Sequence, residues 1–95
     1  MTLDQIRYFM VLADEGSFVR AARLCGISQP SLTNAIKSLE MSLGASLFDR
    51  TIKGSELTTF GRTIYPLLAQ LNHARLQVIA LATTSKHSTE HHFNF

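Results

Sequence analysis

The chain has 95 residues, 45% of them hydrophobic and 17% charged, a composition that builds a core and excludes both a disordered tail and a fibrous repeat. A domain of this size buries roughly 60–68% of its unfolded surface, which leaves little interior for a deep substrate cavity and excludes a large multi-part enzyme. The net charge of +2 is weak evidence for an anionic partner until its distribution is known.

Thr2 and Gln5 stand at capping-box spacing, each able to satisfy the other's free backbone N–H. They open a first helix with Leu3, Ile6, Phe9, Met10 and Ala13 at helical spacing. Gly16 supplies a stop, and Ser17 is placed to cap a short second helix whose apolar positions are Phe18, Ala21, Ala22 and Leu24. Gly26 suits a tight bend, Ile27 anchors it, and Ser28 is the next N-cap. Pro30 fits the first turn of a third helix, where its missing N–H has no intrahelical partner anyway. Leu32, Ala35, Ile36, Leu39 and Leu43 mark that helix's buried stripe, and Gly44 is its C′ residue.

From Ala45 the period changes. Leu47-Phe48 and Ile52 flank Asp49-Arg50-Thr51, Lys53-Gly54 reads as a turn, and Leu57 resumes the apolar content, which predicts a small two-stranded wing over 47–57. Thr58 then caps the last and longest helix, with irregularity expected where Gly61 and Pro66 fall in its first turns. Beyond that, Ile64, Leu68, Leu71, Arg75, Val78 and Ala82 are spaced four and three apart, and Leu67, Ala74 and Leu81 recur every seven residues, the pattern of a helix packing seam. Residues 83–95 read as a polar tail or the start of a connection.

The single cysteine, Cys25, has no disulfide partner and no activating neighbour. No secretory leader pattern is present, so a reducing, cytoplasmic setting is expected. No apolar run reaches the ~18 residues that span a bilayer, because Arg62, Gln70, Asn72, His73, Arg75 and Gln77 interrupt the most hydrophobic stretch. No membrane partner is expected.

Two helices joined through Cys25-Gly26-Ile27-Ser28 form a helix-turn-helix pattern, in which the first helix braces the second for entry into a DNA major groove. At 100° per residue the third helix turns Leu32, Ile36, Leu39 and Leu43 inward and Pro30, Thr33, Asn34 and Lys37 outward. Gln29 and Asn34 offer a donor and an acceptor each to a base edge, Ser31 and Thr33 can meet phosphates or bases, and Lys37 adds a phosphate or guanine partner. Charge supports this placement. Residues 17–53 carry Arg20, Arg23, Lys37, Arg50 and Lys53 against Glu40 and Asp49, a net +3, whereas the first sixteen residues are −2. Arg50 and Lys53 bracket the turn region of the wing and are placed for phosphate or a minor groove, although Arg50 could equally brace Glu40 or Asp49.

Ala21-Ala22, Ser28-Gln29-Pro30-Ser31-Leu32, Ile36, Leu39-Glu40, Leu43-Gly44, Leu47-Phe48-Asp49-Arg50-Thr51 and Leu57-Thr58-Thr59-Phe60-Gly61 together resemble the N-terminal region of LysR-type transcriptional regulators. The resemblance runs from about Leu3 through the helix after Gly61. It implies a mostly α fold: a winged helix-turn-helix with a small two-stranded wing over 1–58, a long dimerisation linker helix over 59–82, and a tail at 83–95. It also implies sequence-specific binding of bacterial promoter DNA, with helix 29–43 in the major groove and the wing on backbone or minor groove. Carried over residue by residue, the DNA contacts fall on Gln29, Pro30, Ser31, Thr33, Asn34, Lys37, Arg50, Thr51 and Lys53. Asn34 and Ser38 stand where the family often has basic residues, and Glu56 is acidic beside the wing, which implies weaker nonspecific affinity.

Family members carry a larger effector-sensing domain after the linker helix. The expectation is therefore a DNA-binding fragment, with a natural short regulator as the alternative; no cofactor is expected in this chain, and a small-molecule effector belongs only to a missing C-terminal domain. The seam Ile64, Leu67, Leu68, Leu71, Ala74, Arg75, Val78, Leu81 and Ala82 is expected to pair two copies of the chain, with a higher oligomer open to a full-length protein. Its alternative is packing back onto the chain's own three helices. An enzyme reading lacks a nucleophile–base pair, paired carboxylates or a metal set; His87, His91 and His92 lie in an unpatterned tail without further ligands. The competing class is a helix-turn-helix protein-interaction module without DNA binding.

Overall fold

A computed structural model describes residues 1–89. Its elements run α1 (Leu3–Glu15), α2 (Phe18–Cys25), α3 (Gln29–Leu43), β1 (Phe48–Thr51), β2 (Gly54–Leu57) and α4 (Thr59–Thr89). Local chemistry explains each helix start. Thr2 and Gln5 close a reciprocal capping box, Ser17 accepts from the Arg20 N–H, and Ser28 accepts from the Ser31 N–H. The ends follow the same logic, because Gly16 and Gly26 adopt left-handed φ values of 66° and 71° and return their N–H groups to the preceding turn.

The strands pair antiparallel, with Phe48 opposite Leu57 and Thr51 opposite Gly54. The reversal is at Ile52 and Lys53, one residue before the expected Lys53-Gly54. Gly54 is already in β2, and its backbone is committed elsewhere: its φ is 131°, and a Cβ at this position would collide with the Gly16 carbonyl oxygen. The next residue, Ser55, donates its N–H to that oxygen at 3.0 Å. The wing is thus docked on the α1–α2 corner.

Helix α1 lies at the centre and touches α2, α3, α4 and β2. Phe9, Leu12, Leu32, Leu39 and Leu47 are fully buried, each contributing about 1.5–3 kcal/mol relative to exposure. The Phe9 ring meets Phe48 at 5.4 Å and Tyr65 at 6.1 Å, both tilted, so one side chain ties the wing and α4 to α1. Among the expected apolar positions, Ala35 and Leu43 are only half-buried, Leu43 still packing against the core, and Leu3 and Leu24 are exposed.

Thr58 caps α4 by accepting from the Gly61 N–H. The helix runs unbroken past Pro66 and continues to Thr89, beyond the expected end at 82, because no glycine or further proline follows to stop it. Its 31 residues span about 46 Å and account for the 54 Å long axis of the molecule. His91, His92, Phe93 and Phe95 lie outside the described residues.

Candidate nucleic-acid interface

The exposed side of α3 presents Gln29, Pro30, Ser31, Asn34 and Lys37, with Thr33 half-buried among them. Ser31 is partly occupied locally, its hydroxyl oxygen accepting from the Ser28 hydroxyl at 2.9 Å. Gln29, Asn34 and Lys37 make no side-chain hydrogen bond among the described residues, which leaves their donors and acceptors available to a ligand.

The wing stands beside this helix. Arg50, Thr51 and Lys53 are all exposed, and the Thr51 hydroxyl donates to the Gly54 carbonyl at 3.2 Å. Two concavities join helix and wing. A cleft of about 220 Å³ is lined by Thr33, Lys37, Glu40 and Arg50 with Phe18, Ile36 and Phe48. A second groove of about 230 Å³ is lined by Ser17, Phe18, Val19, Gln29, Arg50, Thr51, Gly54 and Ser55. Tertiary structure therefore brings Gln29 and Thr51 onto one wall system, Thr33 and Lys37 onto the other, and Arg50 onto both.

Arg50 resolves the open alternative. Its guanidinium lies 4.2 Å from the centroid of the Phe18 ring, and among the described residues it forms no ion pair with Glu40 or Asp49. An arginine stacked on an aromatic face keeps its charge and most of its N–H donors for an outside partner. Phe18 is thereby a neighbour of the wing cation that its sequence position marks only as an apolar residue of α2. Its signal was weak, since an aromatic right after an N-cap serine is equally at home in a core.

The seam on α4 divides. Leu68 is 2% exposed and belongs to the protomer's own core, which corrects its assignment to a dimer surface; Ile64 packs partly against the same core. These residues lie on the face of α4 that turns toward its own domain, where the helix meets α1 and the wing. The other seam positions turn away: Leu67, Leu71, Val78 and Leu81 are 43–68% exposed, Ala74 and Ala82 are exposed, and Arg75 is half-buried with its Nε donating to the Asn72 side-chain oxygen at 3.1 Å. Leu3 of α1 joins Leu71, Ala74, Val78 and Ile79 around a groove of about 480 Å³. Neither Leu3 nor Ile79 is part of the expected seam: packing of α1 against α4 brings Leu3 there, and Ile79 flanks Val78 on α4 itself.

No three His, Cys, Asp or Glu residues converge on a metal-sized site among the described residues. Burial pushes the Cys25 thiol upward, against a smaller lowering by Arg7. No described helix is long and apolar enough to cross a membrane.

The profile of the family described as "Bacterial regulatory helix-turn-helix protein, lysR family" matches residues 3–62. The chain is 40% identical over 90 residues to the HTH-type transcriptional regulator TfdT of Cupriavidus pinatubonensis, covering 95% of this chain and 36% of that protein. It thus spans about a third of that relative's length. Full-length OxyR C199D from Pseudomonas aeruginosa superimposes with a TM-score of 0.82 at 36% identity, over 90% of this chain and 29% of that one. The BenM DNA-binding domain in complex with benA site 1 DNA superimposes with a TM-score of 0.78 at 31% identity, over 88% of this chain and 98% of that one. The family is one of transcriptional regulators rather than enzymes, and its winged helix-turn-helix architecture is the one described above. This chain belongs to the lysR family of bacterial regulatory helix-turn-helix proteins.

Proposed function

We propose that this chain is the DNA-binding part of a bacterial transcriptional regulator, placing α3 in the major groove of double-stranded promoter DNA and the wing on the adjacent backbone or minor groove. The observation that carries this reading is the shared lining of the two grooves. Thr33 and Lys37 of α3 share one groove with Arg50 of the wing, and Gln29 shares the other with Arg50 and Thr51, all inside the segment whose net charge is +3. A cationic, donor-rich surface with one helix and one hairpin side by side fits a duplex, whose phosphates flank both grooves. TfdT is a transcriptional regulator by name, and BenM's domain was solved on DNA, which supports the same reading here.

The contacts we assign are Gln29, Asn34 and Thr33 toward base edges, and Pro30, Ser31, Lys37, Arg50, Thr51 and Lys53 toward backbone or minor groove. The exposed part of the α4 seam pairs two copies, and two-fold symmetry then sets the reading helices in successive major grooves roughly 34–36 Å apart. A partly palindromic operator follows. The compartment that fits is the bacterial cytoplasm, where promoter DNA is accessible.

Salt titration of duplex binding tests the reading. Affinity is expected to fall steeply with salt, and Lys53→Ala to lower the slope by about one contact. Gln29→Ala is expected to lose about 1–3 kcal/mol of discrimination among operator variants. Absence of duplex binding at low salt refutes the proposal and leaves a protein-interaction module.

A further inference from the structure

We infer that Glu40 is a positioning residue for duplex binding: from the reading helix, its carboxylate holds the root of the wing and so sets where Arg50 and Lys53 meet DNA. The inference rests on the DNA-binding reading above and adds a coupling between its two halves.

Glu40 lies on α3 one turn after Lys37 and is half-buried. Its Oε2 accepts the Leu47 N–H at 2.6 Å, the Ser46 hydroxyl at 3.2 Å and the Phe48 N–H at 3.4 Å. These donors are the last residues before β1 and its first residue. Bonds from backbone N–H groups to a carboxylate are roughly twice as strong as neutral ones, and gathering them on one oxygen fixes a direction as well as a distance. The same side chain lines the cleft between Lys37 and Arg50. It therefore shares that cleft with the cation of the reading helix and the cation of the strand that it anchors.

The other supports of the wing differ in kind. Ser55 donates to the Gly16 carbonyl, and Thr58 donates its N–H to the Leu47 carbonyl at 3.0 Å and its hydroxyl to the Ser46 carbonyl at 2.7 Å. The side chains of Leu47 and Phe48 are also buried in the core. None of these links the wing to α3 through a hydrogen bond. Glu40 does so, and its removal releases the wing from the reading helix while the remaining supports keep the hairpin on the domain. A ligand that must be met in two places at once is sensitive to such a spacing, because binding constellations tolerate displacements of only about 0.5 Å.

A double-mutant cycle on the full chain tests this, using a mixed-sequence duplex at low salt and a temperature well below melting. In the wild-type background Lys53→Ala is expected to weaken binding severalfold and to lower the salt slope by about one. In the Glu40→Ala background the same change is expected to do neither. Glu40→Gln, whose amide oxygen still accepts, restores the Lys53 effect. Glu40→Asp, one methylene short, does not, and the Gln and Asp pair carries the test if the Ala variant fails to fold. Equal Lys53 effects in every background, or a Gln variant that behaves like Asp, overturn the inference. A wild-type chain that binds no duplex at low salt instead overturns the DNA reading itself.

Discussion

The Tyr65 hydroxyl on α4 donates a 2.9 Å hydrogen bond to the Asp14 carboxylate near the end of α1, tying the long helix to the centre of the domain across 51 positions of sequence. The bond raises the Tyr65 pKa above its ordinary value, with burial and the negative charge of Asp14 adding in the same direction. A group whose folded pKa is raised contributes stability that is complete below its unfolded value, about 10 for tyrosine, and is lost as pH rises through the folded value. Asp14→Asn is expected to bring the Tyr65 titration back toward the ordinary range, read by tyrosinate absorbance. Tyr65→Phe keeps the ring against Phe9 and should cost about 0.5–1.5 kcal/mol in a denaturant melt. A Tyr65 titration that Asp14→Asn leaves in place would remove this role for the bond.

Gly61 offers a case where propensity and packing oppose each other. In an exposed helix, glycine to alanine stabilises by about 1 kcal/mol. Here an added Cβ would meet the Leu47 carbonyl oxygen and the Leu57 side chain, so Gly61→Ala is expected to lower Tm. Gly54→Ala should do the same, since its φ of 131° and the Gly16 carbonyl both exclude a side chain. At about 4–8 °C per kcal/mol for a domain of this size, calorimetry resolves either effect, and a raised Tm for Gly61→Ala would refute the close approach.

The Arg50–Phe18 stack predicts a functional change with little structural cost. Phe18→Leu keeps an apolar side chain and removes the ring face, releasing a guanidinium that the ring holds in place. Duplex affinity is expected to fall severalfold while the domain stays folded, the lost stack itself costing about 0.5–1 kcal/mol of stability. Equal affinity for the two proteins would show that the ring does not place Arg50 for DNA.

The division of the α4 seam separates two substitutions that its spacing treats alike. Leu71→Glu, on the exposed stretch, should shift sedimentation toward monomer while the domain stays folded. Leu68→Ala empties a core position and is expected to cost about 2–5 kcal/mol whatever the oligomeric state. A dimer that survives Leu71→Glu sinks the proposed pairing surface.

Much of the fold and part of the site are legible in the residues alone. Thr2, Ser17 and Ser28 announce the helix starts because a cap bonds a backbone N–H three positions away, and Gly16, Gly26 and Gly44 mark the ends because few other residues tolerate left-handed backbone. The same local rules place Gln29, Asn34 and Lys37 on the outside of α3, since helical geometry settles a face without any tertiary information.

Tertiary structure decided what those rules cannot reach. Leu68 and Leu71 are one helical turn apart and equally apolar, yet α1 and the wing cover the first and leave the second exposed. Arg50 had two acidic partners nearby in sequence, Glu40 and Asp49, yet stacks on the Phe18 ring, which the tertiary fold sets in place. Glu40 reads from sequence only as a possible brace for Arg50; once the chain folds back into β1 it accepts from two backbone N–H groups and a hydroxyl instead. Bonds that close within one helical turn are written in residue spacing; bonds that close across elements depend on how the core packs, and in this protein the link between reading helix and wing is of the second kind.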